Sequence, residues 1–153
     1  MERRIARVNL TNIAGDIIDR NVDQVREKNI HQLMMGIGSD GRPLSPKYSE
    51  DPWFKKPGAG LRYAAWKKKL FPETPFDTPN LIIVGVYHNS IGVRRSGAVI
   101  NFNATASFAG SVQAKYGDKQ LGLSPYSKKE VWAEIVRSPM IREISSITGI
   151  KVR

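Results

Sequence analysis

Few residues in this chain offer chemistry. It has two histidines, His31 and His88, and no cysteine, which excludes disulfide staples, cysteine–metal sites and thiol catalysis. Neither histidine has a second histidine or a cysteine at metal-ligand spacing. His88-Asn89-Ser90 sets a base beside a hydroxyl, but neighbouring strand residues point to opposite faces and form no triad on their own. Both histidines are read as satisfied or exposed side chains. Asp16, Asp19 and Asp23 recur at helical spacing and are read as a solvated face rather than a metal site. Gly36-Ile37-Gly38 and Gly58-Ala59-Gly60 lack both the preceding strand and the fixed lysine of a phosphate loop, so both are turns. No catalytic, cofactor-binding or metal residue is assigned, and an enzyme is not expected.

A basic and aromatic mixture is more informative. Trp53, Phe54, Tyr63, Trp66 and Phe71 alternate with Lys55, Lys56, Arg62, Lys67, Lys68 and Lys69. The chain carries a net charge of +10. Between Arg42 and Phe71 lie eight bases against two acids, Glu50 and Asp51, so most of the excess is local. Localised positive charge favours an anionic partner, either nucleic acid or an acidic protein face. Interleaved rings and cations suit stacking on single-stranded nucleic acid, yet no helix-turn-helix, zinc or RNA-recognition signature accompanies them. The preferred reading makes the aromatics anchors, holding this segment on its own domain or on a neighbour.

The elements that must position these residues fit one domain over 1–153, since 153 residues bury one sizeable core. The charged start, Met1-Glu2-Arg3-Arg4-Ile5, is followed by no apolar run, so a signal peptide is not expected. No segment reaches the roughly 18 apolar residues of a membrane span. From Thr11 to Met35 there is no proline and one glycine; Ile18, Val22, Val25 and Leu33 recur at helical spacing, with Thr11 or Asn12 as N-cap and Gly36 as stop. This predicts one amphipathic helix of about 25 residues, near 37 Å long. Residues 37–80 then form an extended basic and aromatic arm, interrupted by a short helix over Gly60–Leu70 with Leu61, Ala64, Ala65 and Leu70 on one side. So long an irregular segment in a small domain points to function.

Leu81 to Asn103 changes to strand character. A β-hairpin is predicted, with Tyr87, Ile91 and Val93 on one face, a turn over Arg94–Gly97, a return through Ala98–Phe102, and an extension by Leu81–Val84. Gly85 and Gly92 mark a bend or bulge. Ser107–Tyr116 reads as a short helix ended by Gly117. Ser127-Lys128-Lys129-Glu130 matches a capping box with Ser127 as N-cap. Behind it Val131, Trp132, Ile135 and Val136 form an apolar face, Pro139 kinks or restarts the helix, and the stripe continues through Met140, Ile141, Ile144 and Ile147 to Gly149. The class is α+β: a long N-terminal helix on a small twisted antiparallel sheet, an extended irregular arm, and a C-terminal helix.

Four motifs, in this order, resemble the virion-morphogenesis or tail-completion proteins of tailed bacteriophages, which include head–tail joining and tail-terminator proteins. They are Asp40-Gly41-Arg42-Pro43-Leu44-Ser45, Tyr63-Ala64-Ala65-Trp66-Lys67, Pro79-Asn80-Leu81 leading to Gly85-Val86-Tyr87-His88-Asn89-Ser90-Ile91, and Lys115-Tyr116-Gly117 leading to Leu121-Gly122-Leu123-Ser124. The chain departs from that family at Asn80, where an acid is usual, and at Val84, where a threonine often precedes the glycine. The resemblance implies a structural virion protein of the neck or tail, made in the bacterial host cytoplasm, without catalysis or cofactor. It implies a homo-oligomeric ring, expected as a dodecamer, around the DNA channel. Partners would be portal, adaptor or other neck and tail proteins, with DNA passing non-specifically, no membrane and no small-molecule substrate. Trp53, Phe54, Tyr63, Trp66 and Phe71 would be interface anchors; Lys55, Lys56, Arg62, Lys67, Lys68 and Lys69 would face DNA or an acidic surface. The alternative is a basic protein that binds nucleic acid without sequence preference.

Overall fold

A computed structural model describes residues 9–150; the expectation about Met1–Ile5 lies outside them. The order of elements is α1 (Leu10–Asp19), α2 (Val22–Met34), α3 (Ala59–Leu70), α4 (Val86–Asn89), β1 (Ile91–Ser96), β2 (Val99–Ala104), α5 (Ala109–Tyr116), a 3₁₀ turn (Gly117–Gln120), α6 (Pro125–Glu130), a π-helical stretch (Val131–Val136) and α7 (Arg137–Thr148). The protein is α+β, with helices packed on one antiparallel two-stranded sheet.

The N-terminal helical span is two helices rather than one. Asn9, not Thr11 or Asn12, caps α1, its side chain accepting from the Asn12 amide at 3.0 Å. The break at Arg20-Asn21 has a local cause: Asn21 Nδ2 donates to the Ile17 carbonyl at 2.7 Å, and Arg20 Nε donates to that of Asp16 at 3.2 Å. Side chains that bond the last carbonyls compete with continuation of the helix. The break lets α2 run from the core that it shares with α1 into a second one. Ile13, Ile17 and Val25 pack with Leu123, Val131, Ile135 and Val136. Ile30 and Leu33, further along α2, pack with Leu44, Tyr87 and Ile91. Phe102 of β2 touches both cores.

The hairpin is shorter than expected and unbulged. Its register runs without interruption from Ile91↔Ala104 to Ser96↔Val99, with Gly92 opposite Asn103. Arg94 and Arg95 lie in the strand, and the turn is Gly97-Ala98. Tyr87 and His88 are not strand residues; they sit in α4. Leu81–Val84 adds no strand.

A polar latch ties α2 to the C-terminal half. Gln32 Nε2 and Asn29 Nδ2 donate to the Gly122 carbonyl at 3.0 and 2.9 Å, and Gln32 Oε1 accepts from the Ser124 amide at 2.7 Å and the Ser127 hydroxyl at 2.9 Å. Gln32, Asn29, Ser124 and Ser127 are all buried, so each bond is made away from competing water. Ser124 is the N-cap of α6, accepting from the Ser127 amide, with Pro125 at the first helical position. The predicted cap, Ser127, instead occupies the third helical position, because a proline following a serine is better suited to N1. The expected distortion near Pro139 lies upstream of it, as the π-helical stretch Val131–Val136. A proline removes one backbone donor and crowds the carbonyl four residues earlier, and a widened turn accommodates both. Gly149, at φ +72°, ends α7 in the left-handed conformation as C-terminal glycines commonly do.

Candidate interaction site on the basic arm

The arm folds back on itself around α3. Gly60 lies against the backbone of Tyr48, so close that a Cβ there would stand 1.8 Å from the Tyr48 carbonyl oxygen. Only glycine permits this crossing. The inward face of α3 is Gly60, Ala64 and Lys67; the expected apolar side is wrong in phase, because Leu61, Ala65 and Leu70 are exposed. The proline-rich return is fastened to the start of the arm: Asp77 accepts from the Ser49 amide at 2.8 Å and from its hydroxyl at 2.5 Å. Buried Asp51 pairs with Lys115 of α5 and accepts from the Trp53 amide at 3.0 Å.

Four of the five predicted anchors form one aromatic array. Tyr63 is its hub, with ring centroids 5.3 Å from Phe54 and 5.5 Å from Trp66; Trp53 meets Phe54 edge-on at 5.0 Å. Tyr48, absent from the sequence-based set, meets Tyr63 edge-on at 5.0 Å. Spacings of this kind stabilise ring pairs beyond their buried area. Trp53 is nonetheless 72% exposed and Trp66 44%. Phe71 stands apart from the array, and its ring receives the Lys67 ammonium at 5.2 Å.

The six cations do not act alike. Lys55, Lys56, Arg62 and Lys69 are exposed. Lys68 Nζ donates to the Thr74 carbonyl at 2.6 Å, closing the C-terminal end of α3. Lys67 does not belong to the exposed patch in which the sequence placed it: only 3% of it is exposed. Its ammonium donates to the Ile82 carbonyl, and no described carboxylate pairs with it. Burial pushes its pKa down to about 8, because removal from water penalises the charged form.

Lys67 lines a cleft of about 400 Å³ between α3, the Leu81–Val84 segment and α5, walled by Tyr48, Tyr63, Tyr87 and Tyr116. Ile83, Val84, Val86 and Phe108 form part of its lining and are among the exposed large apolar side chains. Leu81 sits on the wall at φ +55°, a left-handed conformation that non-glycine residues rarely hold and that clusters at functional sites. Burial raises the pKa of Tyr48 and Tyr63, and that of Tyr116 to about 12, so these phenols stay neutral.

Behind the cleft, His88 is buried and its Nε2–H donates to the Asn80 carbonyl at 3.0 Å, while Nδ1 has no partner. Burial is the chief reason its pKa lies below the usual histidine range, with the Lys67 charge adding to it. Asn80 Oδ1 accepts from the Ile82 amide at 3.3 Å. The site thus presents neutral phenols, one buried cation and an apolar rim. That combination suits the binding of an apolar group beside a charge.

The remaining candidates lie elsewhere. Arg95 holds Asp19 at 2.5 Å and Asp16 at 3.4 Å, and Asp23 stands exposed on the next helix. His31 is exposed on α2. The cleft itself escaped sequence reading. Its signal was Leu81-Ile82-Ile83-Val84, four apolar residues without polar alternation, which suits an apolar wall better than a hairpin strand.

Comparison with protein-family models, with curated proteins and with solved structures gave no match.

Proposed function

We propose that this protein is a structural component of a tailed-phage neck or tail, a head–tail connector or tail-completion protein that assembles as a homo-oligomeric ring around the DNA channel. The observation that carries this reading is the distribution of large apolar side chains left in water. Trp53 and Trp66 are exposed on the arm, and Tyr126 and Trp132 on α6 and the π-helical stretch are 71% and 50% exposed. Aromatic residues concentrate interface energy, and exposed apolar groups mark contact surfaces where they gather. Two such groups on different elements suit a heterologous interface, in which one patch of each copy meets the other patch of the next, and which closes into a ring when the rotation allows.

Light scattering across concentration and salt, with electron microscopy of the large species, tests the reading. Closed rings are expected, and Trp66→Ala together with Trp132→Ala should reduce them to monomers that keep the native circular dichroism. A monomer at every concentration and salt, with and without the neighbouring portal or tail proteins, would overturn it.

One observation favours the second reading, a basic protein that binds nucleic acid without sequence preference: Lys55, Lys56, Arg62 and Lys69 are exposed on the same arm as Trp53 and Trp66. Neutralising three phosphate contacts gives a logarithmic salt slope of about −2 on single strands. Loss of that slope in the Lys55→Ala, Lys56→Ala, Lys69→Ala triple variant would support it, and unchanged binding would sink it.

A further inference from the structure

We infer that the cleft beside Lys67 is the docking site for an acidic partner segment, one that places a large apolar side chain in the cleft and a carboxylate on the Lys67 ammonium. The inference deepens the assembly reading, on which it rests, by stating the chemistry of a neighbour.

Three features carry it. The first is the incomplete environment of Lys67. A buried ammonium is costly unless paired, and this one has a carbonyl, a ring face and no described carboxylate. An ammonium has three donors, so capacity remains for an incoming anion. The second is the rim: Ile83, Val84 and Val86 are 54, 79 and 50% exposed around one concave apolar site. A cavity of this size with few polar groups binds an apolar group and orients it by one charge. The third is Leu81, which carries a left-handed backbone in this wall, a conformation that gathers at ligand clamps and active sites.

Charge selects among occupants. The twelve residues of α3 include Arg62, Lys67, Lys68 and Lys69 and no acid, and the chain as a whole carries +10. A second copy of this chain would therefore approach cation against cation, whereas an acidic segment is attracted over the surrounding lysines. Nucleic acid fits poorly. It has no aliphatic side chain to fill the cleft, and the aliphatic rim offers its phosphates no donor.

The test is fluorescence anisotropy of the full chain with the labelled peptide Leu-Asp-Phe-Glu-Leu-Asp, against Leu-Lys-Phe-Lys-Leu-Lys as its basic counterpart. The acidic peptide should bind and the basic one should not. Lys67→Met, which keeps the aliphatic stem, and Val84→Asp, at a position exposed enough to spare the fold, should each weaken binding about tenfold, the size of one good interfacial contact. Val99→Asp, on the exposed hairpin edge, should leave it unchanged. Equal binding of the basic peptide, no binding of the acidic one, or full affinity in Lys67→Met would overturn the inference. So would displacement of the peptide by a single-stranded oligonucleotide, or dissolution of self-assembly by Val84→Asp, since each names a different occupant. Rings without peptide binding would remove the cleft alone. Peptide binding by a permanent monomer would remove the ring alone.

Discussion

The latch around Gln32 and the cleft around Lys67 both place polar groups out of water, and they do so with opposite results. At the latch, both ends of the Gln32 amide are bonded, and the Gly122 carbonyl, the Ser124 amide and the Ser127 hydroxyl each find a partner within 3.0 Å. At the cleft, no described carboxylate pairs with Lys67, and Nδ1 of His88 behind it has no partner. A network whose central amide is bonded at both ends fixes one arrangement, even though Asn29 Oδ1 beside it has no partner. At the cleft a buried ammonium without a described counterion stands beside exposed apolar groups. On the docking proposal, the contrast separates a part that holds the fold from a part that receives a partner.

The comparison can be broken at the arm. Gly60→Ala drives a methyl group into the Tyr48 carbonyl, and α3 must lift off the Tyr48–Ser49 backbone. A loss of about 3 kcal/mol in urea denaturation is expected, with new proteolytic cleavage confined to the arm. Full stability in this variant would show that the arm docks loosely.

At the latch, Gln32→Leu strips partners from the Ser124 amide and the Ser127 hydroxyl together and should cost about 2 kcal/mol. Asn29→Leu alone should cost less, because Gln32 still serves the Gly122 carbonyl.

The cleft should respond in the opposite sense. Lys67→Met removes a buried cation that lacks a counterion, so stability at pH 7 should stay level or rise by about 1 kcal/mol. The pH dependence sharpens this. Lys67 holds a pKa of about 8 in the folded chain against 10.5 as its ordinary value. Between those limits the unfolded chain binds more protons, so wild-type stability should rise with pH from about 8 to 10.5, by at most about 3 kcal/mol; the methionine variant should lose that rise. His88 acts at the other end. Its folded pKa is lowered, so stability should fall as pH drops below 6.5, and His88→Gln should flatten that fall. Both are read from urea midpoints across pH.

The smallest effects belong to the exposed arm. Trp53→Ala and Lys69→Ala should change stability by no more than about 0.5 kcal/mol, while any effect on assembly or on DNA affinity would appear in full.

Local signals were legible and longer-range ones were not. The helix over Ala59–Leu70, the helix ended by Gly117 and the stop at Gly149 all follow from nearby residues, and so does the α+β class. The break at Arg20-Asn21 was hidden because it arises from side chains that bond backbone carbonyls, which apolar periodicity does not register. Ser127 satisfied the capping pattern, but Ser124-Pro125 satisfied a better one three residues earlier. Lys67 was read with Lys68 and Lys69 as one surface run. Its burial is set by helical phase: Gly60, Ala64 and Lys67 share a face, and the two small residues were the available clue that this face points inward. The cleft needed tertiary structure, since its walls come from residues between Tyr48 and Tyr116.

The pairing of the first helix with the last has a consequence for synthesis on the ribosome. Ile13 and Ile17 of α1 are covered by Val131, Ile135 and Val136, and Arg20 meets Glu143 across 123 residues of chain. At translation rates of about 5–20 residues per second, the apolar stripe of α1 waits roughly ten seconds for its cover. During that interval the nascent chain shows a sticky amphipathic helix to its surroundings. Emergence of the Val131–Val136 stretch is therefore the event that covers this stripe, and truncations ahead of it should be recovered from cells as insoluble material.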